Sequence, residues 1–103
     1  MPLAAAPFQA ALARHDGAAE AFWLTARDGL RLRAALFRAE TPRGTVLLFP
    51  GRTEYAEKYG PAAQALNARG FDVVAIDWRG QGLSQRLLAD PLVGHVDRFT
   101  DYQ

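Results

Sequence analysis

Cysteine is absent from the chain. That excludes disulfides, thiol catalysis and Cys-ligated metal, but it does not identify a compartment. Lysine is nearly absent: of 12 basic residues only Lys58 is not arginine. Arginine suits phosphate recognition, because its guanidinium makes bidentate contacts. Here the arginines are dispersed and alanine is abundant, so coding bias accounts for them better. An excess of one charge is lacking too, with 11 acidic residues leaving a net charge of +1. Such a balance offers no electrostatic footprint for nucleic acid. No apolar run approaches the ~20 residues that span a bilayer. No basic residue precedes the apolar stretch at the start, so a secretory signal is not expected. These absences leave a cytoplasmic protein as the default.

What is present is enough for one small domain. The 103 residues are 50% hydrophobic, which argues against a disordered tail. Residues 1–19 read as a leader, with a weak helical stripe at Leu3, Phe8, Ala11 and Leu12 that Pro7 keeps short. Residues 20–103 read as the rest of the domain. Residues 20–38 carry the alternation of a β-hairpin around a turn at Asp28-Gly29. Phe22, Leu24 and Ala26 alternate with Trp23 and Thr25, and Leu30, Leu32, Ala34 and Leu36 alternate with Arg31, Arg33, Ala35 and Phe37, so each strand would have one buried and one wetter face.

The pattern then changes to continuous apolar runs at 45–49 and 72–76. Such runs suit strands covered on both faces. Between them a helix is expected at about 57–69, burying Tyr59, Ala62, Ala63 and Leu66, with Pro61 at its start and Gly70 past its end. Strand, helix and strand with short links predict a right-handed βαβ unit. After Ser84 the chain reads as an irregular connector. A helix is expected to open at Val96–Gln103, capped by Asp97 or Thr100. Few autonomous domains stop one turn into a helix, so a piece of a longer domain is expected.

Ligands of open α/β sheets bind outside the carboxyl ends of the strands. Two loops occupy that place. The first is Pro50-Gly51-Arg52-Thr53-Glu54-Tyr55 and the second runs from Asp77 through Arg79, Gly80, Gly82 and Leu83 to Ser84. The second loop matches the Asp-x-Arg-Gly-x-Gly-x-Ser pattern that follows strand four in α/β-hydrolases. The first stands where that family has His-Gly-x-x-Glu, with Pro50 replacing His and with Gly51, Glu54 and Tyr59 kept. Asp28-Gly29, Gly94-His95-Val96 and Phe99-x-x-Tyr102 fit the same register. Over residues 20–103 the chain resembles bacterial lysophospholipases of the monoacylglycerol lipase-like branch.

The resemblance implies an α/β fold: the N-terminal part of an α/β-hydrolase sheet. An antiparallel hairpin plus a βαβ unit would give strand order 1-2-4-3, truncated before strand five. It also implies an oxyanion hole, with the backbone N–H of Arg52 as one donor and the other coming from the residue after a nucleophile. Two fixed donors stabilise the tetrahedral intermediate, and losing one costs about 3 kcal/mol. The alternative is that Gly51 only turns the chain. In the second loop Asp77 is expected to accept backbone N–H bonds and to pair with Arg79 around a Gly-rich turn. A catalytic carboxylate there is disfavoured, and so is a dinucleotide site, because Gln85 stands where the third glycine belongs. Glu54 is expected to anchor its loop.

No catalytic triad is expected. Ser84, the one serine, lies in Gly82-Leu83-Ser84-Gln85-Arg86, without the last glycine of a nucleophile elbow. His15 and His95 stand alone, and no metal spacing or cofactor motif occurs. The resemblance points to lysophospholipid or monoacylglycerol as the substrate of an intact enzyme, in the cytoplasm or at a membrane surface. The chain alone is expected to be inactive. Two rival readings stay open. One is a non-catalytic subunit that completes its sheet with a partner chain at strand 45–49. The other is a phosphate-binding module at Gly80–Gly82.

Overall fold

A computed structural model describes residues 3–51 and 54–85. The expected helix at 96–103, the connector with His95, and Arg52 all fall outside the described residues. Five strands form one mixed sheet: β1 (Ala5–Ala6), β2 (Ala19–Thr25), β3 (Arg31–Phe37), β4 (Gly44–Leu48) and β5 (Phe71–Ile76). Their order is β1-β2-β3-β5-β4. The four longer strands alone keep the 1-2-4-3 order, and β1 adds an outer strand that the leader was not expected to supply. β1 pairs antiparallel with Phe22 and Ala21 of β2.

The β2–β3 hairpin turns where expected. Gly29 has φ +87°, a left-handed value that a side chain would strain, and the Asp28 carboxylate accepts the Leu30 N–H at 3.2 Å. β4 and β5 run parallel, with Val46 opposite Val73 and Leu48 opposite Ala75. The link between them opens as a 3-10 turn, Ala56–Tyr59, and continues as helix α2, Gly60–Ala68. Pro61 sits in its first turn. The amides of Arg69 and Gly70 close it on the Leu66 and Asn67 carbonyls.

Side-chain parity shows which face of β3 is buried and corrects the stripe expected on α2. On β3 the fully buried face is Arg33, Ala35 and Phe37, with Ala34 also buried; Leu32 and Leu36 are only half-buried. Phe37 and Ala35 pack with Val73, Ala75, Ala56 and Ala63, and with Ala13 of the short helix α1, Ala10–Ala13. The described helices therefore lie on the Arg33 face. Alternation alone could not tell the faces apart, because both are apolar enough to be covered. On α2, Ala63 is buried and Ala62 exposed. The tighter 3-10 turn before the helix shifts the phase of the buried stripe relative to a continuous 3.6-residue pattern.

The leader stretch packs into the same core. Phe8 meets Phe37 edge-on at 5.8 Å, and the His15 ring lies 4.9 Å from it. His15 Nε2 is 2.6 Å from Asn67 Oδ1, and the Asn67 amide donates to the Phe37 and Phe71 carbonyls. At the far edge β4 has no described neighbour on its outer side. Leu47 and Phe49 there are 63% and 61% exposed.

Candidate active-site loops

Both loops leave the carboxyl ends of the parallel strands side by side. In the first, Pro50 accepts a hydrogen bond from the Trp78 indole, and Phe49 stacks on that indole at 5.5 Å. The Gly51 N–H donates to Glu54 Oε1 at 2.6 Å, and the Tyr59 hydroxyl donates to the same oxygen at 2.5 Å. The Lys58 ammonium pairs with Glu54 Oε2. Glu54 therefore holds the loop closed at both ends.

These donors set its charge. The Lys58 hydrogen bond, then the Tyr59 hydroxyl and the Gly51 N–H, pull the Glu54 carboxyl down to about 2. A carboxyl whose folded value is lowered contributes stability that is present above its ordinary value near 4.5. That contribution is lost as the pH falls through about 2. Carboxyl NMR titration should find Glu54 charged at pH 4, and Glu54→Gln should release the Gly51 N–H to fast exchange. An ordinary Glu54 titration midpoint would refute the closed loop.

The second loop is built on a buried ion cluster. Asp77 is fully buried at the end of β5. Its Oδ1 accepts the Ala56 N–H at 2.8 Å, and its Oδ2 accepts the Leu83 N–H and Arg33 Nε, each at 2.8 Å. The pairing expected from sequence, Asp77 with Arg79, is not the one formed. Arg79 reaches back to Asp28 at 2.9 Å instead, and its hydrogen bond lowers the Asp28 carboxyl. Residues two apart on a turn diverge, so Arg79 meets the hairpin while Asp77 turns inward.

Gly82 has φ +50°, and a Cβ there would overlap the Asp77 carboxylate. Gly80, with φ +72°, donates its N–H to the Gln85 carbonyl at 3.3 Å. Ser84 is buried; its hydroxyl donates to the Asp77 carbonyl at 2.7 Å and accepts the Arg33 N–H at 2.8 Å. Those bonds serve the backbone of β3 beyond the end of its pairing with β5.

Arg33 and Glu57 were not visible as site residues in the sequence. Arg33 donates to Glu57 through Nη1 at 2.6 Å and Nη2 at 2.5 Å, and through Nη1 to the Pro7 carbonyl at 2.9 Å. Burial alone would lower the Arg33 pKa, but Glu57 and Asp77 outweigh it and raise it. Burial would likewise raise Glu57, and the Arg33 and Gln9 hydrogen bonds bring it below its ordinary value. The available signal was parity: Arg33 lies in phase with Ala35 and Phe37. Among the described residues no group of three or more His, Cys, Asp or Glu could hold a metal ion.

A mixed sheet with a βαβ unit and two loops at its carboxyl end is an α/β-hydrolase architecture. Residues 40–103, which span both loops, match the family described as serine aminopeptidase, S33, and the chain belongs to that family. It is similar to lysophospholipase L2 of Escherichia coli (strain K12), with 50% identity over 78 residues. That match covers 76% of this chain and 23% of the relative, so the chain spans about a quarter of that protein's length. Among solved structures, the thioesterase domain from the curacin biosynthetic pathway superposes with TM-score 0.60 at 30% identity, over 69% of this chain and 24% of that one. A soluble variant of monoglyceride lipase from Saccharomyces cerevisiae shares the fold, with TM-score 0.59 at 21% identity, over 77% and 26%.

Proposed function

We propose that this chain is the N-terminal part of a serine ester hydrolase of the lysophospholipase or monoacylglycerol lipase type. It supplies one half of the oxyanion hole, the backbone N–H of Arg52, and none of the catalytic triad. The observation that carries the reading is the family match across both loops, in a chain that covers 23% of lysophospholipase L2. The bracing of the first loop supports it, since Gly51 and Ala56 on either side of Arg52 are each held by a carboxylate. Fixed donors of this kind stabilise an oxyanion without reorganising. Gly51, Glu54, Asp77, Arg79, Gly80, Gly82 and Ser84 have structural roles in this reading. Substrates are lysophospholipids or monoacylglycerols, met in the cytoplasm or at a membrane surface. No described helix is long and apolar enough to cross a membrane.

The 103-residue chain should release no p-nitrophenol from a p-nitrophenyl ester above background, and Ser84→Ala should leave that unchanged. Turnover that Ser84→Ala abolishes would overturn the reading of inactivity. The complete reading frame should hydrolyse a lysophospholipid through a Gly-x-Ser-x-Gly serine. Its failure on every lysophospholipid and monoacylglycerol tried would overturn the activity.

The exposed β4 edge favours a second reading, a non-catalytic subunit completed by a partner chain along 45–49. Leu47→Lys should then abolish co-purification of a partner. In the first reading the same substitution should lower aggregation of the isolated chain, with no partner to lose.

A further inference from the structure

Three stretches of chain converge on one guanidinium. An arginine carries five N–H donors. Arg33 directs them to Asp77, Glu57 and the Pro7 carbonyl, with Nη2 also 2.7 Å from Asp77 Oδ2. One cation between two carboxylates leaves a buried formal charge of −1. Burying unpaired charge is costly unless hydrogen bonds compensate it. Three backbone N–H groups do so, and each comes from a different stretch. Gln9 donates to Glu57 Oε2 at 2.8 Å, while Ala56 and Leu83 donate to Asp77. The N-terminal segment, the turn after the first loop and the second loop are therefore held to one another through Arg33.

A replacement by apolar side chains of similar volume would often be as stable. What the ionic version adds is direction: it accepts amides only where they point at carboxylate oxygens. The Ala56 N–H fixes the backbone immediately after the loop that carries Arg52.

The geometry points to Arg33 as a positioning residue for the backbone at Ala56, after the first loop, and at Leu83, in the second, acting through Asp77 and Glu57, with the N-terminal segment as part of the same device. This rests on the ester-hydrolase reading and deepens it. Arg33 touches no substrate. It sets where the Ala56 and Leu83 amides stand, and Pro7 and Gln9 help to hold it there. Truncating the N-terminal segment would loosen the backbone at Ala56 and Leu83 even though that segment lies outside both loops.

The test uses Arg33→Lys and Glu57→Gln, which keep polar side chains in place, and protection at Val74 reports whether each variant is still folded. In the 103-residue chain, amide hydrogen exchange at Ala56 and Leu83 should speed up about tenfold or more, while Val74 in β5 stays within about twofold. Equal acceleration at all three sites would mean that the cluster only adds global stability. No acceleration would mean that Arg33 positions nothing; either result overturns the proposal. In the complete reading frame, both variants should lower kcat for ester hydrolysis about 10- to 100-fold with KM within about twofold. A rise in KM at constant kcat would also overturn it. If the unsubstituted complete protein hydrolyses no ester, the functional reading fails by itself, and the exchange pattern still decides whether Arg33 positions the backbone at Ala56 and Leu83.

Discussion

Replacing Asp77 by alanine is expected to leave much of the chain unfolded at room temperature. Asp77 is fully buried and accepts two backbone amides and a guanidinium. Its removal deprives Arg33 of one of two anionic partners and orphans the Ala56 and Leu83 N–H groups. Breaking a buried ion pair from one side costs about 3–5 kcal/mol. An orphaned buried amide adds about 1–3 kcal/mol. Stabilities of whole domains are about 5–15 kcal/mol, and a small domain sits low in that range. Asp77→Asn should recover little. Its amide NH2 would face the Ala56 N–H in one orientation, and the Leu83 N–H together with the Arg33 guanidinium in the other. The informative control removes the cluster altogether: Arg33→Met with Glu57→Met and Asp77→Leu should be less destabilised than Asp77→Ala alone, because no guanidinium is left buried with part of its hydrogen bonds unmade. Urea denaturation with a common slope measures both, and a loss below about 1 kcal/mol for Asp77→Ala would refute the central place of the cluster.

The parts of the fold that sequence made legible are those with short-range causes. Asp28-Gly29 marks its turn because the Asp28 carboxylate and a positive φ act within three residues. The run at 72–76 is a strand paired on both sides and needs no polar alternation; the run at 45–49 is also a strand, but Leu47 and Phe49 lie exposed among the described residues. The loop patterns carried the family, since the backbone approaches that require Gly82 or a carboxylate at Asp77 are local. What sequence hid was partnership over distance. Arg33 meets Glu57 and Asp77 across 24 and 44 residues. Nothing in the spacing distinguishes that pairing from Asp77 with Arg79. The buried face of β3 was hidden for the same reason. An arginine counts as wet until the carboxylates that neutralise it are known.

The N-terminal segment was the other hidden part, and it reflects weak local signals. Helix α1 is four residues long, with no side-chain cap, and would not persist alone. It is ordered by what it touches: Ala13 in the core, Phe8 on Phe37, and His15 on Asn67. A composition of alanine and proline therefore reads as a leader while the packing treats it as core. Tertiary contacts override propensity most where propensity is weakest.

That docking can be tested at one atom. A Cβ on Gly60 would overlap the carbonyl and carbon of Ala13. Gly60 has φ −51° and ψ −51°, so alanine fits the backbone there and the whole penalty is steric. The contrast is Gly51, where a Cβ would meet the Glu54 carboxylate at 2.8 Å, the far end of a side chain that can shift. At Gly60 the obstacle is backbone, so either α2 or the N-terminal segment must move. α2 is held by Ala63 in the core and by the Asn67 bonds to Phe37 and Phe71. The segment is the weaker party, and Gly60→Ala should displace it. Overpacking typically costs about 1–3 kcal/mol. Trypsin should then cleave after Arg14 faster in Gly60→Ala than in the unsubstituted chain, while Gly51→Ala leaves the rate unchanged. Amides at Val73 and Ala75 should keep their protection, because β5 pairs with both of its neighbours. Unchanged cleavage at Arg14 in a Gly60→Ala chain with intact sheet protection would mean that α1 does not dock against α2. The N-terminal segment would then hold no place in the cluster around Arg33.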